Sequence, residues 1–507
     1  FPQLKSGAIE APVRPGDCDL FTWTDGGADK LLTTAANWKE PVKPTFEGDL
    51  DGAKFGDAGD EALVPDGAKL AYLAFTRAFA LKPAAAGATF SLNGGLKIEG
   101  AGPVSIASGV RIPFSQTWDV GTSELAFAGP LTGEPDTTVS VVGTAKEISF
   151  TGGVGSTYPG SIAFCDAPNV TASGVDPFGG AGGLVSWSNT VNTAQKISLS
   201  NFSTAKDILM YSTAADFDKI EVTAGTAEFK GGFTSTRSLH CKANKNTKAV
   251  FSGPKLALGG TFVPLGEGEV LVNAPLTASM IQTESSLITF GATGNRISHE
   301  VGINMEYLGT QPRTLKFAVA EAFDDRTTLT LKAQTSNRGT FDLCGYSQTF
   351  GTLTMLTTAN ARPTTVVITN SGERATLHVV QKKERSRSDF PLAWIAGVIS
   401  GPIDFWKSGV ASTVVSNHVA AVGALKVTHA GLVFAANDGS WKNATDVIIA
   451  DDPTEDASVR ELMTDAQGHR EIKVLTHGKP IRIRGEVQSV PPSSEHGERL
   501  YLQSEGH

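Results

Sequence analysis

A chain of 507 residues, with 55 Gly, only 5 Met and a charged fraction of 19%, exceeds one ordinary globular core. It is either several domains or one repetitive fold that grows along an axis, and its turn-rich composition predicts an all-β architecture. The net charge of −9 offers nothing to a phosphate backbone, no apolar run is long enough for a membrane helix, and 40% hydrophobic residues argue against disorder.

The periodicity divides the chain into an N-terminal segment with an aromatic cap (1–62), a repetitive body (63–445) and a C-terminal cap and tail (446–507). In the first region, Gly7, Ile9 and Val13 lie in a strand-like run, and Trp23 and Trp38 flank a polar turn. Large aromatics suit the open end of a stack whose first coil has no neighbour; a glycan-binding platform uses the same residues. The acidic group Asp49, Asp51, Asp57, Asp60 and Glu61 contains Asp-x-Asp-Gly but departs from the calcium-loop pattern beyond it, which predicts a solvated loop.

The body is a procession of short alternating runs, each apolar on one face, with Gly, Asn or Pro between them. Leu96–Ile98, Val104–Ile106, Leu125–Phe127, Ile148–Phe150, Ile197–Leu199 and Ile220–Val222 are examples. Val270–Val272, Leu315–Phe317 and Leu329–Leu331 continue them. Two internal echoes point to true repetition. Phe114-Ser-Gln-Thr117 recurs as Tyr346-Ser-Gln-Thr349, and Val222-Thr-Ala-Gly225…Phe229 as Val427-Thr-His-Ala-Gly431…Phe434. The Gly179–Gly183 run does not open a helix, so it reads as a turn and not a phosphate cradle.

The richest stretch is Phe341 to Val379. Leu343-x-Gly345-x-Ser347-Gln348-Thr349-Phe350-Gly351-x-Leu353 is followed by Ile368-Thr369-Asn370-Ser371-Gly372-x-x-Ala375-Thr376-Leu377-x-Val379. This wording resembles the autotransporter-associated β-strand repeat of bacterial passenger regions and large surface proteins. The resemblance implies a right-handed parallel β-helix (β-solenoid) outside the bacterial cell.

Parallel solenoids also host polysaccharide lyases and glycoside hydrolases, and a glycoside hydrolase works with a pair of carboxylates. Asp324-Asp325-Arg326 is the best adjacent pair, but adjacent strand residues point to opposite faces, whereas glycoside hydrolysis needs facing carboxylates. A turn cap is the expectation. Nine scattered histidines form no metal or triad motif. Cys18, Cys165, Cys241 and Cys344 show no metal-ligand spacing and read as free thiols. No catalytic, metal or cofactor residue is assigned.

Lys382–Arg387 reads as an exposed turn. Beyond it, Phe390 to Trp406 is an aromatic patch, with Trp394 and Trp406, that would either mark a contact surface or close the lumen. Past Trp441, Ser458 to Gln467 predicts a short helix, Ile472–Val474 and Ile481–Ile483 predict strands, and Leu500–Leu502 a last one. Together with what the resemblance implies about location, these features predict an extracellular structural or adhesive solenoid without nucleic-acid partner or membrane insertion. Strand-like ends, Gly7, Ile9 and Val13 at one and Leu500 and Leu502 at the other, predict head-to-tail self-association into a filament. Trp23, Trp38, Trp394 and Trp406 are the aromatics available to a glycan or an interface.

Overall fold

The structure, a computed structural model, describes residues 18–475 and 499–502, apart from 43, 49–50, 145, 153–154, 167–168, 191–195, 214–215, 305–311, 334–338, 358–365, 382–392, 412, 416–418, 422, 435–444, 450–456 and 465–469. Among the described residues every regular element is a β-strand except one 3-10 turn, Ala35–Asn37. The chain forms two compact units, Phe1–Gly260 and Thr261–His507, and each is a parallel β-solenoid.

In the first unit the chain climbs through a ladder of parallel strands from Asp19–Thr22 to Leu256–Leu258. Leu73, Leu96, Trp118, Val141, Phe164, Trp187 and Met210 stand in register on successive rungs, and all are buried. Their numbers advance by about 23 per coil, the repeat that stacks one apolar side chain on the next. A second ladder stacks Val104, Leu125, Ile148, Val170, Ile197, Ile220 and Cys241 in the same way. A third, Lys69–Leu70, Thr89–Leu92, Gly109–Ile112 and Leu131–Gly133, runs for four coils. Because side chains alternate across a strand, a slip of one residue would turn a whole rung inside out. Aromatic contacts along the interior, Phe127–Phe150, Phe150–Phe164 and Phe164–Trp187 at 5.6, 5.7 and 5.4 Å, help fix that register.

The second unit is less regular in sequence and similar in plan. One ladder runs from Arg296–Asn304 through Thr328–Ala333, Thr352–Thr357, Ala393–Ile395 and Thr413–Val415 to Ala430–Phe434. Another joins Arg313–Phe317, Gly339–Asp342, Val366–Thr369, Val398–Gly401 and Val419–Ala421. The third joins Gln348–Phe350, Ala375–Val379, Ile403–Lys407, Ala424–Val427 and Asp446–Ile449. The Phe341–Val379 stretch supplies one rung to the first ladder and two to each of the others, and Phe341, Leu343, Phe350, Leu353, Ile368, Leu377 and Val379 are fully buried.

All nine alternating runs cited from the body fall within strands, and Ile197, Leu199, Ile220 and Val222 point inward. The Ser-Gln echo proves structural. Gln116 donates its side-chain amide to the Leu92 carbonyl one coil back, 2.8 Å away, and Ser115 Oγ accepts the Thr138 amide one coil on. Gln348 and Ser347 repeat both contacts with the Val319 carbonyl and the Thr376 amide.

One element is corrected. The helix expected at Ser458 to Gln467 is instead the strand Ala457–Thr464, parallel to Ala430–Phe434 and antiparallel to Arg470–Leu475. The rung Ala430–Phe434 offers a row of backbone donors and acceptors, and pairing with it overrides the local helix preference of Arg-Glu-Leu-Met. Arg499–Leu502 then pairs parallel with Arg470–Leu475. Lys382–Arg387 and Ile481–Ile483 lie outside the described residues.

Candidate functional site

Apart from two buried lysines, the side chains with chemical capacity described below lie at the coil corners and on the outer faces of the ladders. At the corners, carboxylates reach the next coil. In the first unit Asp66 accepts the Thr89 amide at 2.9 Å, Asp166 the Thr190 amide at 2.6 Å and its hydroxyl, Asp176 the Ala205 amide at 2.8 Å, and Asp207 the Gly232 amide at 2.8 Å. In the second, Glu321 accepts from the Thr349 amide and hydroxyl, Asp342 from the Ser371 amide and hydroxyl at 2.9 and 2.7 Å, and Asp404 from the Ala424 amide at 2.6 Å. Corners are where backbone amides leave the ladder, so a charged acceptor one coil below satisfies a donor that would otherwise lack a partner. Burial pushes the Asp342 carboxyl up, but the Ser371 and Cys344 hydrogen bonds outweigh it and hold the group below the ordinary carboxylate range.

On an outer face of the first unit Glu221 lies between Lys196 and Lys242, at 3.1 and 2.9 Å, and accepts a further hydrogen bond from Asn244. Burial pushes its carboxyl up; the Lys242, Lys196 and Asn244 hydrogen bonds overcome this and bring it down to about 2. Glu221 is thereby a three-coil clamp and not a proton donor.

The expected carboxylate pair behaves as a turn. Asp324 folds back on Arg326, accepting its backbone amide at 2.8 Å, Nε at 3.1 Å and Nη2 at 3.0 Å, and these contacts hold its carboxyl well below the usual range. Of the N-terminal acids, Asp51, Asp60 and Glu61 are similarly engaged. Asp51 accepts the Thr45 and Phe46 amides at 2.8 and 3.0 Å, while Asp60 and Glu61 share Lys30 at 3.2 and 3.4 Å. Asp49 lies outside the described residues, and among those described no group of His, Cys, Asp and Glu is arranged to hold a metal ion. None of the four cysteines forms a disulfide.

The aromatics divide. Trp23 and Trp38 are buried and pack edge-to-face at 5.2 Å, with Phe55 and Phe46 against them; neither ring presents a face to a glycan. Trp406 is half-buried on an outer face, in register with His378 on the rung before and Lys426 on the rung after. The imidazole stacks on one face of the indole, 3.7 Å between centroids and 8° between planes, and the Lys426 ammonium lies over the ring at 5.1 Å. Both faces are therefore covered, and Nε1 donates to Thr428 Oγ1 at 3.3 Å. Trp394 belongs to the strand Ala393–Ile395. Gly7, Ile9 and Val13 lie outside the described residues, while Leu500 and Leu502 pair with Ile472 and Val474.

Two features carry no motif in the sequence. Lys206 is fully buried, donating to the Gly160 and Gly182 carbonyls, both at 2.6 Å, with its ammonium 5.3 Å above the Tyr158 ring. Lys407 is fully buried too and donates to the His429 carbonyl at 2.6 Å and the Gly409 carbonyl at 3.2 Å. Desolvation lowers both amines to about 8. The Gly179–Gly183 turn brings the Gly182 carbonyl to Lys206; that glycine run was the one available hint.

Comparison with protein-family models, curated proteins and solved structures gives no match.

Proposed function

We propose that this chain is a structural or adhesive β-solenoid displayed outside a bacterial cell, and not a catalyst. The observation that supports this most directly is the destination of its acids. The corner and outer-face carboxylates described above are bound to backbone amides of the next coil, to flanking lysines, or to their own turn, and buried Asp218, whose carboxyl burial pushes up, accepts the Ser235 hydroxyl at 2.7 Å. A glycosidase or lyase site would instead turn carboxylates toward each other across a cleft. The wording of Leu343 to Val379, with its likeness to passenger-region repeats, supports the extracellular placement.

A screen of the full chain against uronate polymers and neutral glycans tests this reading. No turnover is expected. Turnover abolished by Asp324→Asn or Asp325→Asn would overturn it and identify a β-helix enzyme. The narrower idea, a head-to-tail filament, rests on the terminal strand Arg499–Leu502 and on strand addition at an open rung.

A further inference from the structure

The first described rung has an edge that a neighbouring molecule could use, and at Thr22 the chain covers that edge itself. Asp19–Thr22 pairs on one side with Asp51–Phe55, and the Trp23 amide continues that pairing by donating to the Lys54 carbonyl at 2.9 Å. In a parallel ladder alternate residues face opposite edges, so the amide and carbonyl of Thr22 point the other way. There the Thr22 amide donates to Glu40 Oε2 at 2.8 Å, the Thr22 carbonyl accepts the Lys39 amide at 3.0 Å, and the Thr24 amide donates to the Asn37 carbonyl at 2.8 Å. Trp23 and Trp38 form an antiparallel bridge. Residues 37–40 thus return along the free edge as a short guard.

The guard is held firmly. Asn37 is fully buried, accepting the Gly27 amide at 2.7 Å and donating to the Asp29 and Leu31 carbonyls. Trp38 donates its indole N–H to the Leu32 carbonyl at 2.8 Å. The loop fits so closely that a Cβ on Gly27 would stand 2.6 Å from Asn37 Oδ1. Its last contact differs in kind. At Thr22 the guard offers a carboxylate, not a backbone carbonyl, and a charge on an edge strand is a known deterrent to pairing by another chain.

We propose that residues 37–40 are an autoinhibitory guard that keeps a second copy of this chain from adding to the Asp19–Thr22 edge, with Glu40 as its latch. Exposed Leu20, at 41% of its full area, lies on the same strand and gives two uncovered edges an apolar contact. Two identical edges meet about a two-fold axis, so the product of opening the guard is a closed dimer and not a fibre. The inference holds whether the solenoid is adhesive or purely structural.

The test compares the wild-type chain with Glu40→Gln, Glu40→Ala, and Glu40→Ala combined with Lys39→Pro, which also removes the amide donated to Thr22. Light scattering after size exclusion gives the mass, circular dichroism and melting show that each variant is folded, and hydrogen exchange reads the Thr22 amide. Wild type and Glu40→Gln are expected to be the same size, because glutamine still accepts the Thr22 amide. Under dilution, Glu40→Ala should exchange that amide at least tenfold faster. The double variant should double in mass with increasing concentration. A folded double variant that keeps the wild-type mass at every concentration overturns the proposal, as does unchanged exchange at Thr22 in Glu40→Ala. Open-ended polymers that form in the double variant and not in the wild type would overturn the symmetric pairing.

Discussion

Gln348 donates its side-chain amide to the Val319 carbonyl, 2.8 Å away and one coil earlier, while its own side-chain oxygen accepts the Ala322 amide at 3.0 Å. A residue 1% exposed thus satisfies two backbone groups where the chain turns between coils. Gln348→Leu keeps the volume and strands both, and an unsatisfied buried group costs about 1–3 kcal/mol. The variant should unfold at lower denaturant with an unchanged slope; an unchanged midpoint would remove the amide from the account.

Gly225 and Ala430 hold equivalent places in the second echo, three residues after Val222 and Val427, with φ of +58° and +57°. An L-residue there costs about 1–2 kcal/mol, and Ala430 carries that strain. Ala430→Gly should therefore raise the melting temperature, the gain trimmed by the greater freedom of glycine in the unfolded chain. Gly225→Ala should lower it, since a Cβ would stand 1.9 Å from Asn201 Oδ1 as well.

The Glu221 clamp sets a pH dependence with a definite sign. Its folded-state value of about 2 lies below the ordinary 4.5, so the unfolded chain binds the proton first as pH falls. The stability it contributes is complete above about 4.5 and is lost as pH drops towards 2. Glu221→Gln should be less stable than wild type at pH 7, and the gap should narrow through that window. A gap independent of pH would contradict the clamp.

Lys206 has the opposite logic. Its folded-state value, about 8, lies below the ordinary 10.5, so between these values the unfolded state binds more protons and stability rises with pH. Lys206→Met lacks that rise. Below pH 8 the variant also leaves the Gly160 and Gly182 carbonyls without their donor, at about 1–3 kcal/mol. Paired pH–stability curves of the two proteins check both parts.

Strand alternation, the Ser-Gln echo and the inward residues of Phe341–Val379 were legible because they depend on a period of two and on turn chemistry. Each of those signals is local. The region 458–467 misled for the same reason: its helix formers are local, but the rung that captures it is Ala430–Phe434. The corner carboxylates could not be read at all. Asp207 meets Gly232, and Asp342 meets Ser371, only after coil lengths are known, and those lengths vary. The sequence leaves Trp406 between a contact surface and a lumen plug, and only the register shows that His378 and Lys426 lie over its ring.

The central claim is that the acids of this protein join coil to coil. Its most direct measurement is the unfolding free energy of Asp166→Ala, Asp207→Ala, Asp342→Ala and Asp404→Ala, made one at a time. Each should lose about 1–3 kcal/mol, because a buried or corner amide loses a charged acceptor. Residues retained for catalysis behave otherwise, since replacing them commonly leaves stability unchanged or raises it. Four variants as stable as the wild type, or more so, would contradict the account.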